Sequence, residues 1–301
     1  MIKRLNIYLN EMYPVIPRLI LGFTMFFEIY FLVILTNGTF KGLHINLQEI
    51  IGAVTVFGFL LSLRIADEFK DYETDLIMFP QRSYPSGKVK KKDLIILLTI
   101  VCVVIIGLNL FFMNNLIYFA ILVVYGILMS VWFFSKYKIQ KSLPLALITH
   151  NPVQLILNLY VISFTCIKYN INIFTLNNMI ILLTLYFPGL IWEVSRKTRA
   201  PKDETEYTTY SKLFGYKKTT KFIMLVMVLD MVTSSILVYQ IYPIAVVTVI
   251  GSYIWFLKQG TAFIKDPTRY KLVDKVIIYE YVTELTLVII ELIYVVNRWI
   301  L

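Results

Sequence analysis

Between Asp67 and Gly87 the chain reads DEFKDYETDLIMFPQRSYPSG. Asp67, Asp71 and Asp75 recur every four residues, so on a helix they stack along one face, and Glu68, three residues before Asp71, joins that side. These carboxylates repel one another unless a cation lies among them. Hard oxygen ligands suit Mg²⁺, and Mg²⁺ held by carboxylates commonly carries a phosphate. Seven residues after Asp75 comes Arg82, inside Pro80-Gln81-Arg82-Ser83-Tyr84-Pro85-Ser86-Gly87. Two prolines and a glycine make this a fixed turn, and an arginine on a rigid turn can meet a phosphate with two parallel donors. The competing reading is a solvated helix end. Arg64 and Glu68 at i, i+4 form an ordinary ion pair, Lys70 pairs with a neighbour, and Arg82 is one more basic residue beside a membrane. That reading accounts for Arg64 but leaves the Asp67–Asp71–Asp75 ladder unexplained. The chemistry indicated is on a diphosphate at a membrane surface.

The elements that carry these residues are hydrophobic. Of 301 residues, 58% are apolar and the mean hydropathy is +0.72, more than a soluble domain can bury. Nine stretches of bilayer-spanning length are expected, at about 14–36, 46–66, 93–113, 116–134, 143–165, 177–195, 219–239, 242–258 and 276–296. The opening MIKRLNIYLNEMYP lacks the apolar core of a cleavable leader, so none is expected. The net charge of +10 follows from topology. With the amino terminus inside, only Lys41, Lys168 and Arg298 of the 29 Lys and Arg fall outside, as the positive-inside rule requires. No soluble basic domain exists to bind nucleic acid. The outer loops are short. The inner ones are longer and charged, at 67–92, 135–142, 193–220 and 258–275, which puts a water-facing site on the cytoplasmic side of the plasma membrane. Cys102 and Cys166 both fall in spans and read as small apolar fillers.

Asp67 to Asp75 reads DExxDxxxD, and Arg82 to Gly87 reads RSYPSG. The first resembles the NDxxDxxxD motif, and the second the RPLPSG turn, of the UbiA superfamily of intramembrane prenyltransferases, with Asp67 where that family usually has Asn. The resemblance covers about fifty residues in motif and residues 1–301 in architecture. It implies one domain, an all-α polytopic bundle of about nine transmembrane helices around a central cavity open to the cytoplasm. The second charged loop departs from the pattern. Where the family carries another DxxxD-type motif, this chain has Trp192-Glu193-Val194-Ser195-Arg196-Lys197-Thr198-Arg199, then Asp203, Glu204 and Glu206 beyond Pro201. Thr209 to Gly215, TYSKLFG, resembles the stretch that follows the family's second motif and supports the register.

The resemblance implies metal ligands at Asp67, Glu68, Asp71 and Asp75, with Asp71, Asp75 and Arg82 at the chemical centre. For the second loop two accounts stand. Either Glu193, with Asp203, supplies a second Mg²⁺, or Arg196, Lys197 and Arg199 bind the diphosphate directly. A mixed assignment has Glu193 as metal ligand and Arg196 and Lys197 as phosphate clamps. In FSKYKIQKSLP, near Tyr137, Lys138 and Lys141 are further candidates for the diphosphate, against the plainer reading of a short basic loop. The implied function is Mg²⁺-dependent transfer of a prenyl group from a prenyl diphosphate to an aromatic or lipid-like acceptor in the bilayer. A membrane terpene cyclase using the same ionisation is the first alternative. A transporter or ion-binding membrane protein is the second, for which broken helices meeting in mid-membrane would be the mark; few such breaks are evident in the sequence. Glu280, Glu284 and Glu291 share one helix and pair with Arg18 or line an acceptor pocket, unless they are helix ends near water. His150 reads as a satisfied core histidine.

Overall fold

Each of the nine predicted spans is helical in the computed structural model, which describes residues 1–38, 44–205 and 208–299. Among these residues there is no strand. Lys41 and Glu206 lie outside the described residues. In chain order the helices are α1 (Ile2–Met12), α2 (Val15–Thr36), α3 (Leu47–Lys70), α4 (Tyr72–Met78), α5 (Lys91–Phe112), α6 (Leu116–Ser130), α7 (Lys136–Lys141), α8 (Leu143–His150) and α9 (Val153–Lys168). They continue with α10 (Leu176–Thr184), α11 (Phe187–Arg196), α12 (Tyr210–Phe214), α13 (Tyr216–Ile241), α14 (Val246–Lys265) and α15 (Leu272–Trp299). Seven stretches among the described residues are long and apolar enough to cross a bilayer: α2, α3, α5, α8 with α9, α10 with α11, α13, and α14 with the turn before it. The other two predicted spans are α6, of 15 residues, and α15, of 28 residues, which carries Glu280, Glu284 and Glu291. The chain is an all-α, multi-pass membrane protein.

Two predicted spans are broken, a feature the hydropathy pattern conceals. Pro152 has no N–H to continue the ladder, so α8 stops at His150 and α9 restarts at Val153. Pro188 likewise cannot donate to residue 184, and α10 yields to α11 at Leu185 and Tyr186. Elsewhere the ends are capped by local chemistry. Asn46 accepts from Gln48 N at 2.9 Å while Glu49 accepts from Asn46 N at 2.8 Å, a reciprocal box that starts α3. Thr175 and Thr209 cap α10 and α12 more simply, their side chains accepting from Asn178 N and Lys212 N.

The chain divides into two compact units. The first holds α1, most of α2, α3 to α6 and the later part of α9. There α3 packs along α5, and Gly52 allows α2 to approach, since a Cβ would sit 2.2 Å from the buried Phe26 ring. A buried polar chain ties three helices: Asn109 donates to Thr55 at 2.8 Å, Tyr160 donates to Asn109 at 2.8 Å, and Asn115 donates to Ser163 at 3.0 Å. With no water at this depth such pairing is obligatory. Lys168 pairs with fully buried Glu49 and also donates to the His44 carbonyl at 2.6 Å. Lys168→Ala leaves that carboxylate unpaired and is expected to cost about 3–5 kcal/mol. The loss is read from the thermal midpoint in detergent, and most of it is recovered in Glu49→Gln/Lys168→Met.

The second unit holds the end of α2, most of α7, α8, the start of α9 and α10 to α15. Its core gathers Phe187, Ile191, Ile223, Met227, Phe256, Phe263 and Tyr279 from α11, α13, α14 and α15. Within it Tyr279 donates to buried Asp230 at 2.7 Å.

Candidate active site

In the first unit, α3 ends where the acidic motif begins to act. The predicted single helical ladder is interrupted: α3 stops at Lys70, α4 starts at Tyr72, and Asp71 is the cap of both, with φ −101° and ψ 6°. The i, i+4 spacing nevertheless survives the kink. Asp71 N donates to Asp67 O, Asp75 N to Asp71 O and Phe79 N to Asp75 O, each at 2.9 Å.

Cations of the protein sit beside three of the four predicted metal ligands. Arg64 donates to Glu68 at 2.5 Å, and Glu68 is 2% exposed. Lys70 Nζ lies 2.6 Å from Asp67 and 4.9 Å from the centre of the Trp132 ring. Arg82 Nη1 lies 3.0 Å from buried Asp75, with its guanidinium 3.9 Å over Phe79. The repulsion expected among the carboxylates is therefore relieved locally. Asp71 is different, for among the described residues its carboxylate makes no hydrogen bond or ion pair. Burial pushes its carboxyl up to about 6, with Asp67 and Asp75 adding and Lys70 and Arg64 opposing. Among the described residues no three His, Cys, Asp or Glu converge as a ready metal cage. The donor chemistry still fits a hard divalent ion at Asp71, a half-buried carboxylate that forms no salt bridge among the described residues. Asp67, Glu68 and Asp75 would join it by exchanging their protein cations for the metal.

Arg82 is held by a short, well-tied turn. Arg82 N donates to Phe79 O at 3.1 Å, Ser86 N to Arg82 O at 2.9 Å and Val89 N to Ser83 O at 2.9 Å. Gly87, at φ +76°, takes the left-handed conformation that closes it. Glu11 of α1 accepts from Ser83 N at 3.2 Å, and Arg4 of α1 forks onto Asp93 at 2.6 and 2.9 Å. The amphipathic α1 thus braces this turn. Its role has a trace in the sequence, in the spacing of apolar residues over 2–12.

In the second unit the basic loop is self-paired. Glu193 lies 2.5 Å from Arg196 and 2.9 Å from Lys197, at i+3 and i+4 on α11, and Arg196 lies 5.0 Å over Trp192. Glu204 accepts from Thr209 at 2.6 Å and from Ser211, fixing TYSKLFG as the capped helix α12. Arg199 donates to Thr205 at 3.2 Å, and Asp203 is exposed in a single 3-10 turn. Lys138 and Lys141 are exposed on α7, with Lys141 bonded to Tyr137 and 3.7 Å over its ring. The residues before α7 carry an unforeseen constraint: Trp132, Phe133 and Phe134 all have positive φ, at 55°, 48° and 56°, a conformation costing about 1–2 kcal/mol per residue. The remaining polar positions are quiet. His150 Nδ1 lies 2.9 Å from Thr149 Oγ1, Arg18 lies 5.6 Å over Tyr13, and among the described residues Cys102 and Cys166 form no disulfide.

Among the described residues, seven stretches long and apolar enough to cross a bilayer, with the DExxDxxxD ladder in the first unit and the basic run in the second, define an all-helical membrane architecture. A solved structure of digeranylgeranylglyceryl phosphate synthase, a synthase that works in membranes, has a similar fold: the likeness covers 98% of this chain and 99% of that one, at a TM-score of 0.66 and 17% identity. No protein-family model matches the sequence. No curated protein matches it by sequence either.

Proposed function

We propose that this chain transfers a prenyl group from a prenyl diphosphate to an aromatic or lipid-like acceptor within the membrane, with Mg²⁺ as cofactor. The observation that carries the reading is Asp71, an uncompensated, half-buried carboxylate at the α3–α4 break, next to carboxylates that already hold exchangeable cations. The end-to-end likeness to a membrane prenyltransferase supports the same conclusion at the level of fold. Residues 1–301 act as one catalytic domain, with the charged loops facing the cytoplasm.

Asp67, Glu68, Asp71 and Asp75 would hold the metal, with Glu193 as a further ligand. Bound Mg²⁺ supplies positive charge against the leaving pyrophosphate. Arg82 would leave Asp75 and place two donors on the diphosphate oxygens where charge grows as the allylic C–O bond breaks. Arg196 and Lys197 serve as diphosphate clamps, and Lys138 and Lys141 sit on an exposed helix from which long side chains can reach a phosphate. The apolar spans keep water from the allylic cation until the acceptor attacks and loses its proton. No side-chain nucleophile is required.

Glu193 neutralises both clamps, so their variants should separate. Arg196→Ala/Lys197→Ala is expected to raise KM for the diphosphate about 10- to 100-fold, the worth of two charged hydrogen bonds. Glu193→Gln should leave KM within about threefold and raise the Mg²⁺ requirement instead; an unchanged Mg²⁺ dependence would remove Glu193 from the metal set.

Pyrophosphate release from the purified protein, given a panel of prenyl diphosphates with and without Mg²⁺, tests the proposal. Metal-dependent release that requires an added acceptor, with a prenylated product, is the expected result. Release with a cyclised hydrocarbon and no acceptor would make the chain a terpene cyclase. No release, even with quinone-precursor and lipid extracts added, would overturn the enzymatic reading in favour of a binding or transport protein.

A further inference from the structure

The first unit contains a second feature at the end of α3 that the prenyl-transfer reading leaves unused. A cavity of about 440 Å³ opens among Phe69, Tyr72, Tyr84, Val89, Lys90 and Lys91. Phe69 follows Asp67 by two residues, so it leaves α3 on the opposite side from the acidic ladder. Three aromatic rings form the floor: Tyr84 lies 4.9 Å from Tyr72 and 6.0 Å, edge on, from Phe69. Among the described residues, neither the Tyr72 nor the Tyr84 phenol has a hydrogen-bond partner. Burial, with Tyr72 and Glu68 adding, raises the Tyr84 phenol above its ordinary value, so it remains a neutral donor. At the rim Lys90 and Lys91 are exposed and form no ion pair. The carboxylate closest in sequence, Asp93, is occupied by the Arg4 fork and by Lys90 N.

The position of the cavity limits what can enter. It lies where α3 ends and α5 begins, two apolar spans packed together, and therefore at the level where hydrocarbon gives way to headgroups. Cations there are met by anionic lipid, and aromatic rings with a polar tip favour the same depth. The volume is in the range for a small organic ligand and larger than a lone phosphate ion fills. We propose that this cavity binds the headgroup of an anionic glycerophospholipid, its phosphate between Lys90 and Lys91 and its glycerol portion on the Tyr72 and Tyr84 rings. Tyr84 belongs to the turn that carries Arg82, so an occupied cavity braces that turn from the side away from the carboxylates. The site stands independently of the prenyl-transfer reading.

The experiment counts lipid on the purified full-length protein by native mass spectrometry, after exchange into phosphatidylcholine or phosphatidylcholine–phosphatidylglycerol micelles. One phosphatidylglycerol is expected to stay bound, raising the thermal midpoint. Lys90→Ala/Lys91→Ala should weaken retention at least about tenfold. Lys88→Ala/Lys92→Ala removes the same charge from residues outside the cavity and should retain the lipid. Tyr72→Ala tests the floor and should weaken retention with the charge intact. Equal loss in both lysine pairs would reduce the effect to bulk surface charge and overturn the site. Displacement of the lipid by millimolar inorganic phosphate would overturn the lipid assignment in favour of a free-phosphate site. Catalytic activity enters none of these readouts, so failure here leaves the transferase proposal standing, and the reverse.

Discussion

Asp71→Ala is expected to lower Mg²⁺-dependent pyrophosphate release about 10²- to 10³-fold, with no loss of thermal stability. The two halves of that expectation have one cause. The Asp71 side chain makes no hydrogen bond or ion pair whose loss would weaken the fold, yet it is the carboxylate with free lone pairs for a cation. Its pH behaviour gives an independent check. The folded-state value near 6 lies above the ordinary 3.8, so the folded protein holds this proton more tightly than the unfolded chain does. In metal-free protein the stability contributed by that proton is complete below the ordinary value and is lost as pH rises through about 6. Mg²⁺ must compete with the same proton, so its affinity should fall as pH drops through about 6. Isothermal titration with Mg²⁺ at several pH values, on wild type and Asp71→Asn, measures both effects. An unchanged Mg²⁺ affinity in Asp71→Asn would take this residue out of the metal site.

Arg82→Lys should be nearly as damaging as Arg82→Ala, each reducing kcat/KM for the prenyl diphosphate about 10²-fold or more. Lysine keeps the charge but not the planar fork, and it stacks less well on a ring. Arg82 uses both properties, with Nη1 on Asp75 at 3.0 Å and the guanidinium 3.9 Å over Phe79. Because Asp75 is buried, removing Arg82 also strands a carboxylate. A cycle with Asp75→Asn separates the contributions. If Arg82 serves only to neutralise Asp75, Arg82→Ala/Asp75→Asn restores stability and has the activity of Asp75→Asn alone. If it binds diphosphate, stability returns while kcat/KM falls well below that of Asp75→Asn alone. Equal activity in the double variant and Asp75→Asn would therefore exclude Arg82 from the phosphate site.

Much of this molecule is legible in local sequence. Hydropathy determines that the chain is all-helical and crosses the membrane several times, because a bilayer admits few other solutions for the backbone. The spacing Asp67–Asp71–Asp75 determines that these residues follow one another along a helical path, and the backbone bonds keep that path through the kink. The turn residues Pro80, Pro85 and Gly87 determine that Arg82 sits on a fixed loop.

Other features were decided only by tertiary structure. Residues 143–165 and 177–195 read as continuous apolar runs, but each breaks at a proline, since hydropathy averages over a window and ignores the missing N–H. The buried chain from Thr55 through Asn109 to Tyr160 joins residues 51 positions or more apart, and no local period encodes such a pairing. The same holds for Lys168 with Glu49 and for Arg4 with Asp93. Above all, the spacing of the four carboxylates did not show which of them would meet a protein cation. Folding distinguishes them, because each lysine or arginine neutralises the carboxylate that its rotamer can reach. Arg64, Lys70 and Arg82 reach Glu68, Asp67 and Asp75, and Asp71, at the break between two helices, is within reach of none of them.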